Sequence, residues 1–444
     1  MLTPNFRTVL RARRRIDHPA LQRDHAPMLL ARNRNFRLFF SAAGITNLGD
    51  GISALAFPWL ASLITRDPFL IGLVAAAHRL PWLLFSLPAG VITDRMDRKT
   101  LILRADIFRM SLTFGVVGLI LSAPQMPLAD GAAQASTMIL ILSAAVFLLG
   151  CAEVFRDNAA QTALPQIVDK PDLEKANGQL WSIEQITGQF IGPPLAGLLI
   201  AMAVPLPFVV DAMTFAIATA LVWWVTMRHV PMAPIAGFWT QFREGTHWIA
   251  QHRVILTFAI MLSVLNFVTF GSLAVLVLFS QEVLNLDAAG HGFLLAGGAL
   301  GAVFGGLIGP NIAKALGGRS TIWAALLIFI PSFLGVGLTS SAFVAGFALA
   351  VMYAGGMTWN VVTVSLRQRV IPPELLGRVN AIYRFFGWGS IPLGALAAGA
   401  LVAWAEPSVG RETALRLPFL IAAAFSAALL IFAVFGFKNR DLSD

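Results

Sequence analysis

The sequence predicts an all-α membrane protein with twelve transmembrane helices arranged as two pseudo-symmetric six-helix bundles. Hydrophobic residues make up 57% of the 444 residues and charged residues only 12%, which is about half the charged share of a soluble domain. The apolar residues form stretches of about 20 to 27 residues, each long enough to cross a hydrocarbon core as a helix. These stretches lack the alternation of polar and apolar residues that membrane-spanning strands require, so helices are favoured.

Polar intervals divide the chain into five parts. These are a basic N-terminal arm (1–37), a bundle of six spans (38–227), an inter-bundle loop (228–253), a second bundle of six spans (254–437) and a short tail (438–444). The predicted spans are 38–64, 69–93, 100–122, 137–156, 176–203, 208–227, 254–280, 289–313, 320–338, 342–364, 379–404 and 416–437. The inter-bundle loop mixes aromatic and basic residues, which is typical of an amphipathic helix on a membrane surface.

Basic residues are distributed very unevenly between the two ends of the predicted spans. Of the 32 Lys and Arg residues, 26 lie on the side that holds both termini, and only Arg66, Arg411 and Arg416 lie on the other side. An excess of Lys and Arg in short loops marks the cytoplasmic side of a membrane protein. We therefore expect both termini to be cytoplasmic, and we expect the basic arm to contact anionic lipid rather than nucleic acid.

The two halves of the chain repeat each other. The loop at 164–173 aligns with the loop at 366–375, because Leu164 corresponds to Leu366 at an offset of 202 residues. The same offset relates further pairs: Gln166 and Gln368, Val168 and Val370, Pro171 and Pro373, Trp181 and Tyr383, Gly192 and Gly394, and Gly197 and Gly399. An internal repeat of six spans is the layout of transporters that rock two bundles about a central site.

The loop between the second and third spans carries the most specific motif. It reads Gly90-Val-Ile-Thr-Asp94-Arg95-Met-Asp97-Arg98-Lys99. The glycine allows close helix approach, Asp94 can accept hydrogen bonds from a helix N-terminus, and the basic residues Arg95, Arg98 and Lys99 anchor the loop. It resembles motif A of the major facilitator superfamily, G-x-x-x-D-R-x-G-R-R/K, with Asp97 in the place of a glycine. The resemblance implies the major facilitator fold and a role for this loop in conformational gating.

The fifth span carries a second motif, formed by Gly188, Gly192, Pro193 and Gly197. Glycines four residues apart allow close backbone contact, and prolines remove helix hydrogen bonds and bend the helix. The segment resembles motif C, which is associated in the superfamily with antiporters, with Ala196 in the place of a glycine. Generic close packing is the alternative interpretation, and the glycines at 297, 301, 305 and 309 show such packing without any motif.

Details of the sequence resemble the macrolide-efflux and siderophore-exporter branch of the drug:proton antiporters. They are Asn33-Arg34-Asn35-Phe36-Arg37, Asn47-Leu-Gly49-Asp50, and the segment from Leu173 to Gly178. The resemblance implies a multi-pass protein of the bacterial inner (plasma) membrane that exports a small amphipathic compound by alternating access and proton antiport. The alternatives are a facilitator or importer on the same fold and, more remotely, a membrane enzyme or a non-transporting receptor. We expect the chain to act as a monomer.

Ionisable residues inside spans are costly, so each is a functional candidate. Asp50 and Arg79 lie at similar depths by the helical rise of about 1.5 Å per residue, and we expect them to face each other or a shared wet cavity. The pair serves either proton coupling or a permanent structural ion pair. Glu184, in the fifth span, is the second candidate proton carrier.

Two further groups of side chains are expected from the sequence. A cytoplasmic charge cluster is predicted from Asp106, Arg109, Glu153, Arg156, Asp157 and Arg384, whereas Asp211 near the outer end of its span is expected to be solvated. Aromatic and amide groups suit large amphipathic ligands, and the candidates for a substrate cavity are Asn47, Gln185, Gln189, Asn266, Trp359, Asn360 and Trp388.

Missing motifs also narrow the function. The chain has no G-x-x-x-x-G-K-[ST] phosphate loop and so cannot be an ATP-driven pump by itself. No H-E-x-x-H motif and no Cys/His cluster with zinc spacing are present, and no G-x-S-x-G elbow is present. The sequence therefore predicts no metal, no cofactor and no enzymatic activity, and its expected partners are a small molecule, protons and the lipid bilayer.

Overall fold

The fold is almost entirely helical. The computed structural model describes residues 29–94, 96–123, 125–129, 133–228 and 238–436, and these parts contain no strand. Nine of the described helices are long and apolar enough to cross a membrane, and one of them, Ala288–Leu338, contains two of the predicted spans. The predicted all-α membrane fold is confirmed. The basic arm up to residue 28, the segment 229–237 and the tail 438–444 lie outside the described residues.

Six helical spans form the N-terminal bundle. They are α1 (Arg34–Ile64), α2 (Pro68–Asp94), α3 (Arg98–Ser122), α4 (Ala133–Ile167), α5 (173–202) and α6 (Leu206–Trp223). The fifth is composite, with an α-helix Leu173–Glu184, a π-helical stretch Gln185–Ile191 and a second α-helix Gly192–Met202. Pro193 and Pro194 have no N–H to donate to the preceding turn, so the helix is wider just before them.

Six more spans form the C-terminal bundle. They are α7 (Arg253–Glu282), α8 (288–316), α9 (318–338), α10 (Ala342–Val370), α11 (Pro373–Val409) and α12 (Arg411–Gly436). The chain passes from α8 to α9 through Gly317, whose φ of 80° and ψ of 159° are outside the helical region. Glycine adopts a positive φ without steric cost, so one residue is enough to break the long helix.

A helix between the bundles, Phe238–Gln251, packs on the start of α11. Glu244 accepts a hydrogen bond of 2.5 Å from Arg378, and a Cβ atom on Gly245 would lie 3.0 Å from Ile382. Ile249 is buried. The inter-bundle segment therefore contains a helix that packs on the C-terminal bundle, and the amphipathic helix on the membrane surface stays a prediction.

The repeat seen in the sequence is also visible in the packing of each bundle. A Cβ atom on Gly192 of α5 would lie 2.6 Å from the backbone of Gly51 in α1. A Cβ atom on Gly394 of α11 would lie 2.1 Å from the carbonyl oxygen of Phe267 in α7. Glycine is thus required at equivalent positions, where the fifth helix of each half crosses the first.

The two bundles meet closely at one end, which we call the distal face because both described termini lie at the other end, the terminal face. A Cβ atom on Gly197 of α5 would lie 2.3 Å from the carbonyl oxygen of Ala288 in α8. A Cβ atom on Gly399 of α11 would lie 2.5 Å from the carbonyl oxygen of Pro68 in α2. We call these contacts the α5–α8 seam and the α11–α2 seam.

A polar network also joins the two bundles at the distal face. Arg411 donates to both carboxylate oxygens of Glu282 at 2.8 and 3.0 Å, to Glu406 at 2.8 Å, and to the carbonyl oxygen of Arg66 at 2.8 Å. Arg66, from the α1–α2 connection, also donates to Gln281 of α7. The distal face is therefore closed by backbone contact and by charge, and both kinds of contact cross between the bundles.

Candidate functional site

A group of buried ionisable side chains lies inside the N-terminal bundle, and we call it the charge cluster. It consists of Asp50 on α1, Asp106 and Arg109 on α3, and Glu153, Arg156 and Asp157 on α4. The structure thus brings together five of the six residues predicted for a cytoplasmic cluster and adds Asp50 to them. The cluster lies in the interior of three spans, where an unpaired charge is expensive.

The central contact of the cluster joins Asp50 and Arg109. The guanidinium of Arg109 donates to the carboxylate of Asp50 and lies 4.2 Å from the ring centroid of Phe215. The side chain of Arg109 is 4% exposed, whereas that of Asp50 is 28% exposed. The structure therefore pairs Asp50 with Arg109 and not with Arg79, because equal depth in two spans does not fix which helix faces point at each other.

Arg156 holds the second part of the cluster together. Its guanidinium contacts Asp106 at 3.2 Å and Asp157 at 3.4 Å, and it donates to the hydroxyl of Thr46 at 3.0 Å. Asp106 is fully buried. Arg156 therefore joins α1, α3 and α4, and together Arg156 and Arg109 balance several carboxylates of the cluster.

Two contacts at the edge of the cluster were not predicted. Glu153 lies 3.6 Å from the imidazole of His78 on α2. Asp211 on α6 is 1% exposed and accepts a hydrogen bond of 2.6 Å from Ser53. The expectation that Asp211 is solvated is wrong, because the polar side of α1 that carries Asp50 also presents Ser53 to α6.

A cavity of about 500 Å³ lies between the bundles. It is lined by Arg79 and Trp82 of α2, by Leu262, Asn266 and Phe270 of α7, by Tyr353, Trp359, Asn360 and Arg367 of α10, and by Tyr383, Arg384 and Trp388 of α11, among others. Four of the seven predicted cavity residues, Asn266, Trp359, Asn360 and Trp388, are on this wall. Asn266 also donates to the carbonyl oxygen of Gly387 at 2.8 Å, which ties α7 to α11.

Arg384 does not join the charge cluster. It lines the cavity, and its guanidinium carbon lies 6.0 Å from the ring centroid of Trp388. The prediction that placed it in the cluster is wrong because α11 belongs to the other bundle and its side chain faces the space between the two. Arg79 is on the opposite wall of the same cavity.

The remaining predicted side chains lie on α1 and α5. Asn47 donates to the carbonyl oxygen of Ala43 at 2.8 Å, within its own helix. Glu184 and Gln189 are exposed and Gln185 is half-buried. Glu184 precedes the π-helical stretch, Gln185 begins it, and Gln189 lies within it. None of these four is among the described residues that line the 500 Å³ cavity.

The motif A loop is described in part. Asp97 caps α3 by accepting from the N–H and the hydroxyl of Thr100 at 2.8 and 2.6 Å. Lys99 donates to the carbonyl oxygens of Trp223 and Val225, at 2.7 and 2.9 Å, where α6 ends. Arg98 begins α3. Arg95 and the side chain of Asp94 lie outside the described residues, as does the surface of Gly90.

The four motif C residues serve two interfaces. Gly188 and Gly192 face α1, where a Cβ atom on Gly188 would lie 3.2 Å from the carbonyl oxygen of Asn47. Pro193 and Gly197 face α8, since a Cβ atom on Gly292 would lie 2.6 Å from the carbonyl oxygen of Pro193. One helix therefore packs tightly within its bundle and across to the other bundle.

Metal chemistry has no support in the described parts of the chain. Over these ranges, no group of three or more His, Cys, Asp or Glu side chains is arranged to hold a metal ion. Cys151 is not part of a disulfide.

Comparison with known proteins gives a consistent result. The sequence profile of a family described as transmembrane secretion effector matches residues 24–442. The enterobactin exporter EntS of Salmonella typhimurium is 25% identical over 399 residues, covering 85% of this chain and 88% of the exporter. The uncharacterized MFS-type transporter YkuC of Bacillus subtilis is 25% identical over 384 residues, covering 80% of this chain and 82% of that protein.

Solved structures share the fold. A crystal structure of a point mutant of the nucleoside transporter NupG superposes with a TM-score of 0.72 at 13% identity, covering 90% of this chain and all of that one. A bacterial homologue of the iron transporter ferroportin in its inward-facing state superposes with a TM-score of 0.70 at 15% identity, covering 90% of this chain and 99% of that one.

Proposed function

Because the chain belongs to the transmembrane secretion effector family of major facilitator transporters, we propose that it exports a small amphipathic compound in exchange for protons. The family membership makes the chain a multi-pass membrane transporter and not an enzyme. The finer parts of the proposal are the direction, the coupling ion and the kind of substrate.

The orientation follows from the basic residues. The positive-inside rule puts the terminal face, with both termini, in the cytoplasm. The distal face, closed by the two seams and by the Arg411 network, is then extracytoplasmic. The cavity wall extends to Arg367, within one turn of Val370 at the terminal-face end of α10. This conformation is the inward-facing state of an alternating-access cycle.

The ion pair of Asp50 and Arg109 is the observation that carries the proposal of proton coupling. Asp50 is partly exposed while its partner is almost fully buried, so a proton can reach the carboxylate while Arg109 stays in the bundle. Protonation of Asp50 removes the negative charge that holds Arg109, and the guanidinium then turns to the carboxylates beside it. A proton thus rearranges the charge cluster, which joins α1, α3 and α4.

Export of a siderophore-like compound is supported by the relatives named enterobactin exporter. A drug or macrolide is the other substrate type in this branch. Glu184 and Arg79 remain candidates in the coupling pathway, since Glu184 is exposed on α5 and Arg79 is in the wall of the cavity.

The proposal is tested with purified protein in proteoliposomes under an imposed pH gradient. Internal pH is followed while macrolides, catecholate siderophores and amphipathic dyes are added one at a time. We expect a compound-dependent proton flux that is lost in Asp50→Asn. Asp169→Asn is the matched control, because Asp169 forms an exposed ion pair with Arg228 at 2.7 Å and should leave the flux unchanged. Compound movement without proton flux would show a facilitator instead.

A further inference from the structure

We propose that the cavity between the bundles binds aromatic anions and rejects aromatic cations, an inference that rests on the proposed function and names its substrate class. Three arginines, Arg79, Arg367 and Arg384, belong to the wall of this cavity, and the described part of the wall includes no Asp or Glu. The described wall of the site therefore carries a net positive charge.

The described contacts of Arg367 and Arg384 leave the charge of these two arginines uncompensated. Arg367 is 8% exposed, donates to the carbonyl oxygen of Thr363 at 3.2 Å and to Asn380 at 3.1 Å, and lies 3.8 Å from the ring centroid of Tyr383. All of these partners are neutral. Arg384 contacts the neutral ring of Trp388. Arg367 is a buried cation without a counter-charge, which is costly, whereas Arg384 is exposed in the cavity. An anionic ligand would supply a counter-charge to both.

The acid in the adjacent helix does not fill this role. Glu153 on α4 lies 3.6 Å from the imidazole of His78 and interacts electrostatically with Arg79, but it is not part of the described wall of the cavity and leaves Arg367 and Arg384 without an acid. The remaining acids of the charge cluster are held by Arg109 and Arg156. Asp50, Asp106 and Asp157 thus pair with arginines of the N-terminal bundle and not with the arginines of the cavity wall.

Aromatic rings around the cavity define the rest of the ligand. Trp82 of α2 and Trp388 of α11 meet edge to face, with ring centroids 5.7 Å apart and an interplanar angle of 70°. Trp359 is 3% exposed, and its indole N–H has no acceptor among the described residues. Flat rings pack well on such surfaces, and guanidinium groups bind carboxylates with two parallel hydrogen bonds. An aromatic carboxylate or sulfonate satisfies both.

The positions of these groups relate binding to the transport cycle. Arg79 and Trp82 belong to the N-terminal bundle, whereas Arg384 and Trp388 belong to the C-terminal bundle. An anion between them attracts both bundles at once, and in its absence the like charges of Arg79 and Arg384 repel each other. The ligand therefore favours closure of the bundles around it, which is the step that alternating access requires after loading.

Equilibrium binding to the purified full-length protein tests the inference without any need for transport. Three tritiated probes share one ring system: 2-naphthoate is anionic, 2-naphthamide is neutral, and 2-naphthylmethyl-trimethylammonium is cationic. We expect 2-naphthoate to bind at least about tenfold more tightly than the cation, which corresponds to about 1.4 kcal/mol. Equal affinities, tighter binding of the cation, or no binding of 2-naphthoate would overturn the inference.

Substitutions assign the preference to the arginines. Arg384→Gln should weaken 2-naphthoate binding by about five- to tenfold while leaving 2-naphthamide binding unchanged, and Arg384→Lys should restore most of the loss. Arg369→Gln is the matched control, because Arg369 is exposed on the same helix as Arg367, and its side chain donates to the carbonyl oxygen of Ser365 at 3.4 Å. If Arg384→Gln weakened all three probes equally, the residue would act on packing and the inference would fail.

The outcomes for binding and for transport are separable. A preference for 2-naphthoate with no compound-dependent proton flux in proteoliposomes would contradict the proposed proton antiport and support the charge selectivity. Proton flux driven by cationic dyes, with no binding of 2-naphthoate, would support the proton antiport and contradict the charge selectivity.

Discussion

Asp50 and Arg109 form an ion pair between α1 and α3, 59 residues apart in the chain, with the arginine buried and the aspartate partly exposed. Both residues also have other ionisable neighbours. Arg109 experiences the charges of Glu153, Asp106 and Asp211 in addition to that of Asp50. The cation is therefore shared by several acids, whereas the described ion pair of Asp50 is with Arg109.

This asymmetry predicts unequal effects of removing the two partners. Arg109→Gln should lower the free energy of unfolding by about 3 to 5 kcal/mol, because it leaves several buried carboxylates without a cation. Asp50→Asn should have a smaller effect, since Arg109 keeps its other acids. Melting temperatures of the purified variants in one detergent measure the difference.

Arg369→Gln, on the exposed end of α10, serves as the control for loss of one positive charge. If Asp50→Asn were as destabilising as Arg109→Gln, the pair would be a permanent structural contact. The carboxylate would then be unsuited to carry a proton.

One methyl group added at the α5–α8 seam is predicted to open the distal face. Gly197→Ala would place a Cβ atom 2.3 Å from the carbonyl oxygen of Ala288, so the bundles must separate at the distal face. Overpacking costs about 1 to 3 kcal/mol, and this shifts the population of the distal-open state by about fivefold or more. A membrane-impermeant maleimide added to intact cells should then label Thr269→Cys in the cavity wall, in a Cys151→Ser background.

Gly115→Ala provides the control for this experiment. Gly115 lies on α3, and no described atom is within 4 Å of a Cβ atom placed there. Unchanged labelling of Gly197→Ala would mean that the closed distal face tolerates the methyl group, contrary to the geometry of the seam.

The glycines spaced four residues apart along α8 are predicted to differ in their tolerance of a substitution by alanine. A Cβ atom on Gly301 would lie 1.9 Å from the carbonyl oxygen of Ala350 in α10, whereas one on Gly297 would be 4.0 Å from that of Gly346. Gly301→Ala should therefore lower the melting temperature, with a loss of about 1 to 3 kcal/mol. Gly297→Ala should leave it unchanged, and equal effects of the two would contradict the described packing of α8 on α10.

The polar network of the distal face predicts a weaker opening that depends on salt. Arg411→Gln removes the bonds to Glu282, Glu406 and Arg66, and ion pairs with partial exposure contribute about 1 kcal/mol or less each. Labelling of Thr269→Cys from outside should rise less than with Gly197→Ala. High salt should also raise the labelling of Thr269→Cys in a protein that keeps Arg411, because salt screens exposed charges.

Arg416→Gln is the matched control on the same face. Arg416 donates to carbonyl oxygens of Gly337 and Thr339 and to Glu412, all within the C-terminal bundle. It should destabilise that bundle without increasing labelling from outside. An equal increase in both variants would show that the network acts through general loosening of the protein.

Length and periodicity were enough to predict the helices, because twelve apolar stretches of membrane-spanning length permit few alternatives. The repeat of 202 residues also predicted correctly that Gly192 and Gly394 hold equivalent places. The partners of charged residues were harder to predict. Depth along two helices matched Asp50 with Arg79, but rotation about the helix axis, which decides contact, cannot be determined from two isolated residues.

The error for Arg384 has a related origin. It lies near the predicted cytoplasmic end of its span, as the other cluster residues do, yet it belongs to the second bundle and faces the cavity. Asp211 was misplaced because position near a span end suggests water, while Ser53 and the packing of α6 on α1 bury it. In both cases the missing information was which bundle, and which side of a helix, a residue faces.

The α5–α8 seam and the α11–α2 seam depend on Gly197 and Gly399, which the sequence repeat makes counterparts. The two halves of the chain thus close the distal face with two equivalent contacts. If one contact loosens, the other remains as a pivot, and the bundles tilt about it rather than coming apart. A change at one of these glycines should therefore open the distal face on one side, while the other glycine keeps the two bundles together there.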